Sequence, residues 1–69
     1  MFELVISTKM GARHSVAVRD VYEANAELER FKNDYLKSHP NDEIEDASVL
    51  NDVGDRVSRY YNGQLEDFN

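Results

Sequence analysis

Carboxylate side chains dominate the second half of this 69-residue chain and are its main candidates for chemistry. Residues 38–69 carry eight acidic residues against only Arg56 and Arg59, whereas residues 1–37 carry six acids and six bases. The whole net charge of −6 therefore belongs to the second half. Carboxylates can ligate a cation, act as general acids and bases, or bind a basic surface, and each chemistry makes its own demands on spacing.

A cation site is the first interpretation to weigh, and two stretches bring oxygen ligands close together. Residues 39–46, HPNDEIED, lack the glycine and the alternating ligand positions of an EF-hand calcium loop. Residues 51–55, NDVGD, have the composition of an ordinary hairpin turn. We therefore predict no dedicated metal site and no cofactor.

Nucleophilic catalysis would have to use His14 with Ser7 or Ser15. Adjacent residues of a strand point to opposite faces, which separates His14 from Ser15, and the sequence offers no third group to orient the histidine. The chain has no cysteine, which excludes thiolate chemistry and zinc–thiolate sites. We therefore predict that the protein is not an enzyme.

Binding to a basic protein is the interpretation that the charge pattern favours. Nucleic acids and anionic membranes are unsuited as direct partners, because contact with phosphates needs Lys and Arg. One tyrosine of the Tyr60–Tyr61 pair would be exposed and would serve as an interface anchor. The predicted partner-binding residues are Asp42, Glu43, Glu45, Asp46, Asp52, Asp55, Tyr60, Tyr61, Glu66 and Asp67.

A single long helix at residues 20–38 is expected to organise the fold around it. Its apolar residues recur at steps of three and four, which places them on one stripe: Val21, Ala24, Leu28, Phe31 and Tyr35. Asp20 before the stripe and Glu23 three residues later form an Asp-headed capping box. Pro40 lacks the N–H that a helix needs, so the helix must end near Ser38.

Extended segments flank this helix on both sides. Residues 2–7 and 15–19 alternate apolar and polar side chains, which predicts a hairpin with Gly11 in its loop. Residues 47–52 and 56–61 predict two further strands. Asn62-Gly63 then favours a two-residue turn that pairs Tyr60 with Leu65 and Arg59 with Glu66. After this turn the chain either forms a short fifth strand or ends in a frayed tail.

The predicted fold class is α+β, with one helix on one face of a small, mostly antiparallel sheet in the order β-β-α-β-β. Apolar runs are too short for a signal peptide or a membrane span, so a soluble, cytoplasmic protein is expected. The whole chain is interpreted as one domain with four parts: a hairpin at 1–19, a helix at 20–38, an acidic loop at 39–46, and a second hairpin with a tail at 47–69.

In length, charge and element order the chain resembles the small acidic early proteins of bacteriophages. The stretches that carry this resemblance are NDEIED at 41–46 and the set Asp52, Asp55, Glu66 and Asp67. The resemblance implies a protein that binds and inhibits a host protein, such as a nucleoid protein, a nuclease or RNA polymerase, in the host cytoplasm. Its acidic half would cover the basic, nucleic-acid-binding surface of that protein as a partial DNA mimic, using one face because the first half is neutral.

A different class of function remains open beside this one. A core built from one helix and one sheet buries little apolar surface for a chain of this length, and a homodimer would bury more. The protein would then be a small structural or regulatory subunit that pairs through the sheet edge or the outer sheet face. In that case the acidic half would only provide solubility.

Overall fold

Five strands and one helix make up residues 1–68, the part of the chain that the computed structural model describes. Residue 69, the end of the predicted tail, lies outside it. The elements are β1 (Phe2–Thr8), β2 (Arg13–Val18), α1 (Val21–Phe31) with a following π-helical turn (Lys32–Leu36), β3 (Ile44–Leu50), β4 (Arg56–Tyr61) and β5 (Gln64–Leu65). This arrangement confirms the predicted α+β class.

The strands form a single antiparallel sheet in the order β2-β1-β3-β4-β5. β1 lies inside the sheet, paired with β2 on one side and β3 on the other. Leu4, for example, lies between Val16 of β2 and Val49 of β3. Because side chains alternate along each strand, these registers place whole rows of residues on the same face.

α1 begins where the capping box predicted. Asp20 is extended, and its side chain accepts a hydrogen bond from the N–H of Glu23 at 2.9 Å. Glu23 reaches back and accepts from the N–H of Arg19 at 2.8 Å. The first contact uses a backbone donor that the first helical turn leaves without a partner, and the second ties the residue before the N-cap to the helix. Together they fix the point at which β2 turns into the helix.

Replacing Asp20 with Ala should lower the free energy of unfolding by about 1 kcal/mol, the usual cost of losing an N-cap. Urea titration followed by circular dichroism measures the change. Asp34→Ala is the matched control, because Asp34 is an exposed acid on the helical segment that caps nothing at its start. Equal losses in the two variants would contradict the capping role.

The helical segment departs from a regular α-helix in its second half. The sequence predicts one helix to Ser38, but α1 ends at Phe31 and continues as the π-helical turn. The wider turn keeps three rings in one row: Phe31 and Tyr35 stack at 5.0 Å between centroids, and Tyr35 and His39 stack at 4.2 Å. Helical backbone then continues through Ser38 and stops before Pro40, as expected.

β3 begins earlier than predicted. The sequence analysis ended the acidic loop at residue 46, but β3 starts at Ile44 and ends at Leu50. The reason is tertiary: Ile44 pairs with Thr8 across a register shift at which β3 has one extra residue, Glu45, and Ile44 packs against the core. Glu45 and Asp46 are therefore strand residues, held by the sheet rather than by a self-repelling loop.

The C-terminal hairpin forms in the predicted register. Asn62 and Gly63 both have positive φ, 51° and 85°, as a two-residue hairpin turn demands. Tyr60 pairs with Leu65, so the short fifth strand exists. Beyond it, the Phe68 ring packs edge-on against Phe2 at 4.8 Å between centroids.

The core lies between α1 and the inner face of the sheet. Its buried residues are Leu4, Ile6, Val18, Ala24, Leu28, Phe31, Ala47, Val49 and Leu65. The opposite face, called here the outer face, carries the alternate residues of each strand, and no second layer covers it within residues 1–68. Asp46 of β3 lies on this uncovered face, next to the exposed Glu45 at the register shift.

Candidate functional site

The outer face is arranged in three cross-strand rows that the sheet registers define. One row contains Ala17, Glu3, Leu50 and Arg56; the next contains Ser15, Val5, Ser48 and Arg59; the third contains Arg13, Ser7 and Asp46. Small and half-buried side chains occupy the middle, and charged side chains of both signs stand around them. The outer face is therefore flat and open.

Five of the eight predicted acidic residues fall into two groups at opposite ends of β3. The first, the β3-start group, consists of Glu43, Glu45 and Asp46. The second, the β3-turn group, consists of Asp52 and Asp55 in the turn between β3 and β4. Their nearest members, Asp46 and Asp52, are six residues apart in the chain, which corresponds to about 20 Å at the usual rise of a strand.

Two of these acids are paired with cations of the chain. Glu43 forms an ion pair with Lys9, and this hydrogen-bonded contact raises the pKa of the Lys9 ammonium. Asp52 lies 3.2 Å from the amino group of Met1. Glu45, Asp46 and Asp55 are exposed and form no ion pair within the described part of the chain.

Glu66 is also exposed, opposite the backbone of Arg59. Its N–H donates to the Arg59 carbonyl at 3.2 Å, which continues the predicted register. The charged ends of the two residues do not come within ion-pair distance, although the sequence predicted that they would. Asp67 follows as an exposed residue beyond β5. Arg56 and Arg59 thus lie between the two acidic groups.

Asp42 occupies a different position from the other predicted acids. It is only 7% exposed, and its carboxylate accepts a hydrogen bond from the Thr8 side chain and from three further donors. The further donors are the N–H of Met10 at 3.1 Å, the N–H of Glu43 at 2.8 Å and the hydroxyl of Tyr35 at 2.7 Å. Asp42 joins the β1–β2 turn to the end of the helical segment, so we leave it out of the binding surface proposed below.

This environment shifts two pKa values. Burial alone would raise the pKa of Asp42, but the hydrogen bonds from Thr8, Tyr35 and the two backbone N–H groups outweigh it and lower the pKa. The same contact raises the pKa of Tyr35, because its neutral hydroxyl donates to the carboxylate. Nothing in the sequence distinguished Asp42 from its neighbours, since Asp is an ordinary loop residue.

The two adjacent tyrosines divide as predicted. Tyr60 is half-buried and packs against the core, with the Lys32 ammonium 5.6 Å from its ring centre. Tyr61 is 69% exposed and points to the outer face. It lies at the same end of the sheet as the β3-start group, where an aromatic ring beside acids would make an interface anchor.

The serines suggested for catalysis with His14 have other contacts. The Ser15 hydroxyl donates to Glu3, and the Ser7 hydroxyl donates to the backbone carbonyl of Asp46 at 3.4 Å. His14 is on the other face of the sheet, where its ring lies 5.5 Å from that of Phe31. The geometry does not bring a nucleophile and a base together there.

A groove that the sequence analysis did not anticipate lies beside His14. It runs between β2 and the helical segment, has a volume of about 640 Å³, and is mostly apolar. Its lining includes the side chains of His14, Val16, Phe31, Tyr35 and His39, and also charged residues of β2 and the helical segment: Arg13, Glu27, Arg30 and Asp34. We call it the β2 groove.

Wider searches add three findings. Residues 1–68 contain no cluster of three or more His, Asp or Glu side chains arranged to hold a metal ion. In the same residues, no helix has the length and apolar character that crossing a membrane requires. Comparisons with protein-family models, curated proteins and solved structures found no match to the chain.

Proposed function

We propose that this chain is a non-enzymatic binding protein whose acidic surface covers the basic, nucleic-acid-binding surface of a partner protein. The observation that carries this proposal is the set of exposed carboxylates that have no ion-pair partner among the described residues: Glu45, Asp46, Asp55 and Glu66. Exposed carboxylates that form no ion pair within their own chain favour a partner that supplies the opposite charge.

The spacing of these carboxylates supports partial mimicry of DNA. Over about 20 Å of axis, duplex DNA presents about a dozen negative charges. The β3-start and β3-turn groups carry five carboxylates over a similar length, of which Glu43 and Asp52 are paired with cations of the chain, and Arg56 and Arg59 lie between the groups. Such a surface would occupy a few phosphate-binding side chains of the partner rather than its whole binding cleft.

An apolar anchor is needed as well, because charge complementarity mainly speeds encounter and selects partners. Tyr61 is the best candidate, being 69% exposed beside the β3-start group. Ile44, the other apolar residue of the acidic stretch, packs against the core and is less available. The proposal thus assigns recognition to β3 and its turn, and anchoring to the end of β4.

By its charge and size the chain suits a phage-type inhibitor that acts in the cytoplasm of a host cell. The partner would then be a bacterial protein that normally grips nucleic acid. Binding by this chain would exclude DNA or RNA from the same surface without any chemical reaction.

The proposal is tested by capture from a bacterial lysate, with the chain as bait and washes at about 50 and 200 mM salt. We expect a basic, nucleic-acid-binding protein that is retained at low salt and released at high salt. The double variant Glu45→Gln, Asp46→Asn should lose it.

The matched control is Glu29→Gln, Asp34→Asn, which removes the same charge from exposed positions on the helical segment. It should retain the captured protein. Capture that is insensitive to salt, or equal loss in both double variants, would show that β3 is not the binding surface. The acidic residues would then serve solubility, and a homodimeric subunit would become the better account.

A further inference from the structure

The two edges of the sheet are finished in different ways. At one edge β5 has only two residues, and the N–H of Leu65 already donates to the Asn25 side chain at 2.9 Å. At the other edge β2 runs for six residues and pairs with β1 without a register shift. No strand of residues 1–68 pairs with its second side. A long, regular and unprotected edge readily accepts another strand.

The β2 groove adds an apolar surface to this edge. Phe31 and Tyr35 form its floor, and the half-buried Val16 points into it from β2. A strand added to β2 would place alternate side chains over this groove. Backbone pairing and side-chain burial would therefore occur together.

We infer that a second copy of this chain occupies the edge, with the two β2 strands pairing antiparallel about a two-fold axis at Ser15. The sheet would then continue through ten strands. The argument for a second copy, rather than a foreign strand, comes from the residues that this pairing brings together.

Only two symmetric registers keep inner-facing residues opposite each other and leave most of β2 paired. The register centred on Val16 places Arg13 of one copy opposite Arg19 of the other, and directly opposed like charges are destabilising. The register centred on Ser15 places Arg13 opposite Ala17 and His14 opposite Val16. The second register therefore covers the groove with the His14 ring and the Val16 side chain. It also keeps Arg13 away from Arg19.

Charge complementarity on the outer face favours the same register. Ala17 pairs with Glu3 of its own β1. Since Ala17 is small, Arg13 of the other copy can reach across it to Glu3, two strand spacings or about 10 Å away. The two-fold axis creates this ion pair twice.

A cysteine at position 15 tests the geometry directly, because the chain has no cysteine of its own. Directly opposed residues of antiparallel strands have Cα atoms about 4.5–5.5 Å apart, which a disulfide can bridge. Under mild oxidation, Ser15→Cys should form a covalent dimer. Arg13→Cys, about 13 Å from its symmetry mate in this register, and Ser48→Cys, at the centre of the outer face, should not.

A charge swap tests the predicted ion pair by sedimentation equilibrium at about 10–200 µM chain. Arg13→Glu should weaken the dimer by about tenfold, and adding Glu3→Arg should restore it. Arg56→Glu, the same change on β4, should leave the dimer unaltered.

A monomer throughout this range, or a disulfide at Ser48→Cys in place of Ser15→Cys, would overturn the inference. The first result would leave the edge to a strand of another protein, and the second would move the interface to the outer face. These measurements use the chain alone, so their failure is distinct from a failure to capture a basic partner.

Discussion

Leu28→Ala is expected to lower the free energy of unfolding by about 2–5 kcal/mol, the cost of truncating a buried leucine. Leu28 is 1% exposed and lies at the centre of the face that α1 presents to the sheet. A domain of this size has a total stability of only about 3–5 kcal/mol. The variant should therefore be largely unfolded at 37 °C, and urea titration followed by circular dichroism measures the loss.

The control for this variant is Tyr22→Ala, on the same helix but 81% exposed. Truncating an exposed side chain should change the free energy of unfolding by about 0.5 kcal/mol or less. A loss of that small size at Leu28 would mean that the helix does not pack on the sheet through this residue, and the core described above would be wrong.

Asp42→Ala should be the most destabilising change outside the apolar core. The substitution removes the acceptor of the hydrogen bonds from the Thr8 and Tyr35 side chains and from two backbone N–H groups in different loops. Donors left without partners in a half-buried site lower stability more than the loss of an exposed contact does. We expect the melting temperature to fall by about 5–10 °C.

Tyr35→Phe measures the contribution of the Tyr35 hydroxyl apart from the other hydrogen bonds that Asp42 accepts. It removes only the bond from Tyr35 to Asp42 and keeps the ring stacked between Phe31 and His39. Its melting temperature should lie between those of the wild type and Asp42→Ala. A fall as large as that of Asp42→Ala would assign the whole contribution of Asp42 to its bond with the Tyr35 hydroxyl and none to the two backbone N–H groups.

The pH dependence of stability follows from the same site. Asp42 has a folded-state pKa below its ordinary value of 3.8, so its contribution is complete above pH 3.8 and is lost as the pH falls through the folded-state pKa. Tyr35 and Lys9 have raised pKa values. Their contributions are present below their ordinary values of 10.0 and 10.5 and are lost as the pH rises through the raised ones.

Asp42→Asn should therefore flatten the acid side of the stability profile. It should also reduce the alkaline contribution of Tyr35, whose raised pKa depends on the Asp42 carboxylate, and leave that of Lys9 unchanged. The urea concentration at the midpoint of unfolding, measured at several acidic pH values for the wild type and for Asp42→Asn, gives the comparison. If the variant lost stability on acidification as steeply as the wild type, other carboxylates would be responsible for the acid sensitivity.

Local signals were enough to predict the helix start and the last hairpin. Asp20 and Glu23 are close in sequence, and their hydrogen bonds need only the first turn of the helix. Asn62-Gly63 specifies a turn through backbone preference alone. Elements of this kind are readable from sequence because the interactions that fix them span only a few residues.

Tertiary contacts decided the features that the sequence did not reveal. β3 begins at Ile44 because Thr8, far away in the chain, offers it a pairing partner. The π-helical turn accompanies the stacking of Tyr35 with His39 and the bond from Tyr35 to Asp42. No pattern within residues 32–46 encodes these contacts by itself.

The candidate site was predictable in composition but not in layout. The excess of acids in residues 38–69 is visible in the sequence, yet only the fold separates the β3-start group from the β3-turn group. The fold also buries Asp42 and exposes Tyr61. The β2 groove could not be predicted from the sequence, because it depends on how far α1 reaches across the sheet.

The most direct measurement of the proposed function is a competition for nucleic acid. The protein captured from the lysate is bound to a fluorescently labelled DNA duplex, and the chain is added while anisotropy is followed. We predict that the chain displaces the DNA, and that Glu45→Gln, Asp46→Asn displaces it much less than Glu29→Gln, Asp34→Asn. A stable complex containing both the DNA and the chain would contradict the claim that the acidic surface covers the nucleic-acid-binding site.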